Sequence, residues 1–329
     1  MCIRDSRGAV MALDAGDGRV LWKQHTIDEP PEKVGETSAG TDILAPSGAP
    51  IWNTPSVDLE AGLLFVGTGE NYSSPADGNS DAIIAMDLES GEKQWVFQAT
   101  AGDAWNVACM LPDMRQNCPE EDGPDYDFGA STMLVETQKG RVLVAGQKSG
   151  EAFGINPATG ELLWRNRLGR GGIQAGIHFG MAANGGVVYV PISDFDDGQE
   201  HELPARPGVF ALDAMTGEVL WYRAHDDHCG DREFCDPGIS APATATDAAL
   251  CAGGRDGLLR AYAPATGATL WRHDTTRPVT ALGGEAAHGG SIGGSAGPVV
   301  HDSMVYQTSG YGIYFHMPGN VLLAFGPAD

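Results

Sequence analysis

The sequence predicts an all-β protein built as a propeller of repeated sheets. Three observations carry this. An eleven-residue phrase ending in tryptophan occurs five times: ALDAGDGRVLW (Ala12 to Trp22), AMDLESGEKQW (Ala85 to Trp95), GINPATGELLW (Gly154 to Trp164), ALDAMTGEVLW (Ala211 to Trp221) and AYAPATGATLW (Ala261 to Trp271). A further apolar strand pattern precedes most copies. Helical periodicity is almost absent, so nothing competes with the strand reading.

Each phrase reads as a hairpin. Alternating apolar residues form one strand, a glycine-centred turn reverses the chain, and a second strand ends on the indole. The turn glycines Gly18, Gly91, Gly160, Gly217 and Gly267 are expected at positive φ, where a Cβ is penalised. The tryptophans are 73, 69, 57 and 50 residues apart, a spacing that suits a propeller blade of four strands with loops. The preceding strands are LLFVGTGE from Leu63, RVLVAGQKSG from Arg141, VVYVPISD from Val187 and ALCAGGRDG from Ala249. Short stretches such as Ser56–Asp58 supply inner strands. A lone four-stranded blade leaves its faces bare, so blades must stack, with the indole expected as the wedge between neighbours.

The ends depart from the pattern. Little chain precedes the first phrase, and Pro298 to Phe325 is rich in strand signals without a sixth repeat tryptophan. Residues 1–6 (MCIRDS) lack the apolar stretch of a signal peptide and read as a foreign or misassembled leader, leaving 7–329 as one partial propeller domain. Such an open arc of blades is expected to be poorly soluble without its missing part.

Composition narrows the function. The chain has 329 residues, 20 Lys and Arg against 44 Asp and Glu, and a net charge of −24. That balance disfavours nucleic acid and anionic membranes as partners and permits a cationic one, such as a basic electron carrier. No apolar run approaches the roughly 20 residues of a membrane helix. Of the six cysteines, Cys109 and Cys118 flank one short polar loop, and Cys229 and Cys235 another. Both pairs read as loop-closing disulfides and hence an oxidising compartment; neither has the CxxC spacing that zinc sites favour. Cys251, in an apolar strand, reads as a buried thiol.

Two of the seven tryptophans, Trp52 and Trp105, stand outside the repeat. Between them lies Gly67-Thr68-Gly69-Glu70-Asn71-Tyr72-Ser73. Inner strands of a propeller converge on its channel, so this stretch gathers an aromatic plate, carboxylates and an amide at strand ends. An indole can stack a planar cofactor, Glu70 and Asn71 offer oxygens to a hard cation, and Asp103 can accept a proton. Core filling, turn formation and surface charge are the plainer roles for the same residues. His178 and His288 are each expected to begin an inner strand, as satisfied structural histidines. Asp77 to Asp81 resembles a calcium loop in composition only and reads as a turn.

The ALDxxTGxxxW phrase, with GAPIWNTPSVDLEAGLLFVGTGENYS, GDAWNVACM, NCPEEDGPDYDFGAS, LVAGQKSGEAFGINPATG, RGGIQAGIHFGMA and HGGSIGGSAGPVV, resembles the pyrroloquinoline-quinone-dependent alcohol dehydrogenases. The resemblance runs from Arg7 onward and is most specific between Trp52 and Lys148. It implies an eight-bladed quinoprotein propeller, of which this chain holds about five blades and closing strands. It further implies pyrroloquinoline quinone in the channel and Ca2+ beneath it. On that pattern Trp52 forms the floor under the quinone, with Trp105 and Asn106 also beside the cofactor. Asn71, or Glu70 in a loop one residue off the usual spacing, ligates the metal. Lys148 places a cation on the quinone carbonyls and shares the catalytic role with Asp103. Family members that oxidise methanol or ethanol carry a catalytic Asp where this chain has Asn106, so Asp103 becomes the candidate base. The family's acidic metal ligand falls in the region of the leader.

The expected function is therefore periplasmic oxidation of an alcohol, secondary and polymeric alcohols included, by hydride transfer to the quinone, with cytochrome c as electron acceptor. The alternative is a non-catalytic propeller of the same repeats acting as a binding or assembly scaffold.

Overall fold

The computed structural model describes residues 7–195, 200–312 and 314–327; the leader 1–6 lies outside them. The protein is all-β, and within each sheet neighbouring strands are consecutive in sequence, so every sheet is an antiparallel meander. The chain divides into two compact units, residues 1–134 with 155–163, and residues 135–154 with 164–329.

In the first unit Ala9–Leu13 pairs with Val20–His25, and Glu32–Glu36 with Asp42–Ala45. A four-stranded sheet follows, Ser56–Asp58, Leu63–Gly67, Ala82–Asp87 and Lys93–Gln98. A further four-stranded sheet, not confined to the first unit, comprises Met133–Thr137, Gly140–Gly146, Glu151–Ile155 and Leu162–Arg167. The second unit contains the four-stranded sheets Ala182–Asn184, Val187–Ile192, Gly208–Asp213, Val219–Ala224 and Thr244–Ala245, Leu250–Gly253, Leu258–Tyr262, Thr269–Asp274. The tail supplies a three-stranded sheet, Val299–His301, Met304–Ser309 and Val321–Phe325, as its strand signals predicted.

All five phrases are hairpins, and their turn glycines have φ of 74°, 79°, 75°, 71° and 66° in chain order. Each turn closes by the same bond, from the glycine N–H to the carbonyl four residues earlier, as in Gly18 to Asp14 and Gly217 to Asp213. The hairpins share a bulge as well. The register shifts immediately after Ala12, Ala85, Ala211 and Ala261, and each of these alanines faces the repeat tryptophan. A small residue is required there because the indole lies over it. In the third phrase the position is Gly154, where a Cβ would come within 2.0 Å of the Trp164 ring.

The indoles act as wedges, and the rule is the same in both units. Each tryptophan packs on the turn glycine of the next phrase: Trp22 on Gly91, Trp95 on Gly160, Trp164 on Gly217 and Trp221 on Gly267. Each also donates its Nε1–H to the carbonyl three residues before that glycine, Leu88, Pro157, Ala214 and Pro264, over 2.9–3.3 Å. The ring thus covers apolar surface while its one polar atom is satisfied. Middle strands fill the core on both faces, as Phe65, Val66, Ile83 and Ile84 do with no exposure.

The cysteine reading holds. Disulfides join Cys109 to Cys118 and Cys229 to Cys235, and Cys251 is a buried free thiol. The histidine reading needs correction. Neither histidine begins a strand: His178 lies in a loop before Ala182–Asn184, and His288 follows Ala286–Ala287. His178 is buried with its Nδ1 3.0 Å from the Ser240 hydroxyl, which fits a satisfied structural role, whereas His288 is exposed. The Asp77–Asp81 segment is a turn, in which Asp77 accepts from the Asn79 N–H.

Candidate cofactor and metal site

The site in the first unit is assembled by backbone. Arg7 bridges to Gly48, Gly48 to Asn71, and Asn71 to Ala104. The bonds are Gly8 N–H to Gly48 O at 3.0 Å, Ala49 N–H to Glu70 O at 2.7 Å, Asn71 N–H to Asp103 O at 3.0 Å and Trp105 N–H to Asn71 O at 2.8 Å. Segments widely separated in sequence therefore run side by side and bring Glu70, Asn71, Asp103 and Trp105 together. Gly48, at φ 92°, permits this because a Cβ would meet the Glu70 carbonyl at 2.5 Å.

Glu70 does not stand with Asn71 alone. Its carboxylate clusters with those of Asp125 and Asp127, their oxygens within 4.8 Å of one another and all three residues buried. Asp127 also accepts from the Glu70 N–H at 3.1 Å. Gly69 lies so close to this carboxylate that a Cβ would come within 2.2 Å of its oxygen, which explains the glycine in the GTGE run. Burial above all, and then the charges of Glu70, Asp127 and Asp125, push the Tyr72 phenol well above its ordinary value. Three carboxylates in one buried cluster are hard oxygen donors of the kind that suit calcium. Asp125 and Asp127 carried no role in the sequence reading. Their signal was the acid pair in DYDFG, but strand alternation does not align it, because Asp125 has φ 57°.

The remaining predicted residues have definite tasks. Asn71 donates its amide to Ser47 O at 3.0 Å and accepts from the Asp77 N–H at 2.8 Å. Asp103 is fully buried and accepts from the Asp125 N–H at 3.3 Å and the Tyr126 N–H at 2.9 Å. It therefore holds the loop that presents Asp125 and Asp127. Asn106 caps the short helical turn Val107–Met110 by accepting from the Ala108 N–H at 2.9 Å, and its Nδ2 donates to the carbonyls of Tyr72 and Asn117, both at 3.2 Å. An aspartate could not donate those two bonds, which gives a physical reason for the amide at this position.

Trp52 is 38% exposed, and its ring rests on Gly129, where a Cβ would come within 1.9 Å. Its neighbour Asn53 donates to Gly67 O at 2.8 Å and Phe128 O at 2.7 Å, tying the indole to the strand that leads to Glu70 and to the loop that carries Asp127. A partly exposed flat ring of this kind suits a stacking partner. Trp105, by contrast, is buried.

Lys148 lies in the second unit, in the turn between Gly140–Gly146 and Glu151–Ile155. It is 4% exposed, not the solvated turn lysine that its position alone would suggest. The segment from Gly172 to Gly176 packs on its backbone. Gly172 N–H donates to Lys148 O at 3.2 Å, and a Cβ on Gly176 would meet that carbonyl at 2.2 Å.

Comparison with known proteins bears on the family. The chain is 37% identical over 97% of its length to a polyvinylalcohol dehydrogenase of Pseudomonas sp. It is 38% identical over 93% of its length to that of Sphingopyxis sp. (strain 113P3). The chain belongs to the pyrroloquinoline-quinone-dependent alcohol dehydrogenase family. The family description "Glucose/ethanol/alcohol dehydrogenase, beta-propeller domain" matches residues 2–116, and "Outer membrane protein assembly factor BamB" matches residues 103–255. The chain spans about half the length of the two dehydrogenases, 51% and 47%. The solved quinohemoprotein alcohol dehydrogenase from Comamonas testosteroni superposes on 99% of this chain and 58% of its own, with TM-score 0.64 at 18% identity, which shows the shared propeller fold. Among the described residues no helix is long and apolar enough to cross a membrane.

Proposed function

We propose that this quinoprotein chain is the propeller part of a periplasmic dehydrogenase that oxidises secondary alcohols, polymeric ones included, and passes electrons to cytochrome c. The observation that carries the reading is the similarity to two polyvinylalcohol dehydrogenases along nearly the whole chain. The two disulfides fit an extracytoplasmic compartment.

When bound, pyrroloquinoline quinone supplies the hydride-accepting chemistry. Trp52 would support its plane, with Trp105 and Asn106 shaping the surroundings. Glu70, assisted by Asp125, Asp127 and the Asn71 amide oxygen, would hold Ca2+. Lys148 would offer an ammonium to developing negative charge. Removal of the alcohol proton falls to the carboxylates gathered here, Asp103 or one of those it holds in place.

The test is reconstitution of the full-length gene product with the quinone and calcium, followed by dye reduction on primary, secondary and polymeric alcohols. Turnover favouring secondary alcohols supports the proposal. Absence of turnover over the whole panel removes it and favours the scaffold reading.

A further inference from the structure

A second site lies in the second unit, on the outer strand of its Thr244–Asp274 sheet. Here a cleft of about 350 Å3 is lined by Arg232, Arg272, Arg277, His228, His273, Asp274 and Leu258. Three arginines converging in one cleft run against the charge of a chain that carries −24 overall and has only 20 basic residues.

The cations are placed by structure. Arg232 belongs to the loop closed by the Cys229–Cys235 disulfide, and its Nε and Nη2 donate to the carbonyls of Cys229 at 3.1 Å and His228 at 3.0 Å. Carbonyls orient the guanidinium without neutralising it. His273 is fixed by rings on both sides, stacked on Trp271 at 5.9 Å and edge-on to Phe325 at 4.9 Å. Asp274 neutralises only Arg277, at 3.3 Å, and is held for this by Thr276.

Arg272 has no side-chain hydrogen bond or ion pair among the described residues. Its cross-strand neighbour is Arg260, which already engages both oxygens of Asp256. Arg232 likewise makes no ion pair among the described residues, and Asp231 and Glu233 of its loop do not line the cleft. The cleft thus keeps two arginine charges without a carboxylate, beside two imidazoles.

We propose that this cleft binds a small multivalent oxyanion, a phosphate or polycarboxylate, through Arg272 and Arg232. Planar guanidinium groups pair with such oxygens bidentately, and the volume lies within the range of small-ligand sites. The site is independent of the quinone reading and of the carboxylate cluster in the first unit.

The experiment is calorimetric titration of the chain with inorganic phosphate and, separately, citrate in a chloride-poor buffer. Saturable 1:1 binding of at least one is expected, weakened at least tenfold in Arg272→Ala and again when Arg232→Ala is added, with Arg272→Lys intermediate. Arg272 is exposed, and thermal melts confirm that each variant is folded. Absence of saturable binding by both anions overturns the proposal, as does binding that Arg272→Ala leaves unchanged.

Discussion

Trp221 donates its Nε1–H to the Pro264 carbonyl at 2.9 Å. The same indole face covers Gly267 so closely that a Cβ there would lie 2.6 Å from Cε3. One side chain therefore closes a blade, satisfies its own polar atom and dictates glycine in the next turn. The arrangement recurs at Trp22, Trp95 and Trp164, so Gly91, Gly160, Gly217 and Gly267 each answer to a wedge as well as to their own backbone.

Gly267→Ala tests this. The residue has φ 66°, so alanine pays about 1–2 kcal/mol for the left-handed conformation and about 1–3 kcal/mol for pressing on the ring. Urea unfolding should show a loss of roughly 2–5 kcal/mol. Gly18→Ala, with nothing within 4 Å of its Cβ, should lose only the conformational part.

Asn106→Asp should destabilise the loop. The substitution removes the donors to Tyr72 O and Asn117 O and turns a charge toward both carbonyls. Leaving such groups unsatisfied costs about 1–3 kcal/mol. A lowered melting temperature checks this, and an unchanged one would mean that the loop is held by the Cys109–Cys118 bridge alone.

His225 makes stability pH-dependent. Its Nδ1 is 2.9 Å from Pro237 O, which can only accept, so Nδ1 carries the proton and Nε2 accepts from the Tyr262 hydroxyl at 2.5 Å. Burial first, and then the charge of Arg260, pull the imidazole down from 6.5 to about 4. Between those values the unfolded chain binds a proton that the folded one refuses. This contribution is therefore intact above pH 6.5 and is lost as pH falls through 4, by roughly 3 kcal/mol in all. Unfolding free energies at pH 7 and 4.5 should differ less in His225→Gln than in the native sequence.

Calcium should raise the melting temperature through the Glu70, Asp125 and Asp127 cluster. At a hundredfold excess over its dissociation constant, a ligand specific for the folded state adds about 2.7 kcal/mol. Asp125→Asn is the preferred variant, because position 125 has φ 57° and asparagine tolerates that conformation. It should shrink the calcium-dependent gain. An equal gain in both proteins would place the metal elsewhere.

The sequence by itself determined the hairpins, their turn glycines, the wedge role of the repeat tryptophans and both disulfides. Each of these rests on a local pattern, since period, turn chemistry and cysteine spacing act over a dozen residues. Only the tertiary structure decided that Glu70 meets Asp127 across 57 residues, that Lys148 is buried, and that Arg232 and Arg272 share a cleft. Those juxtapositions arise when separate loops close on one another, and no periodicity within either partner records the meeting.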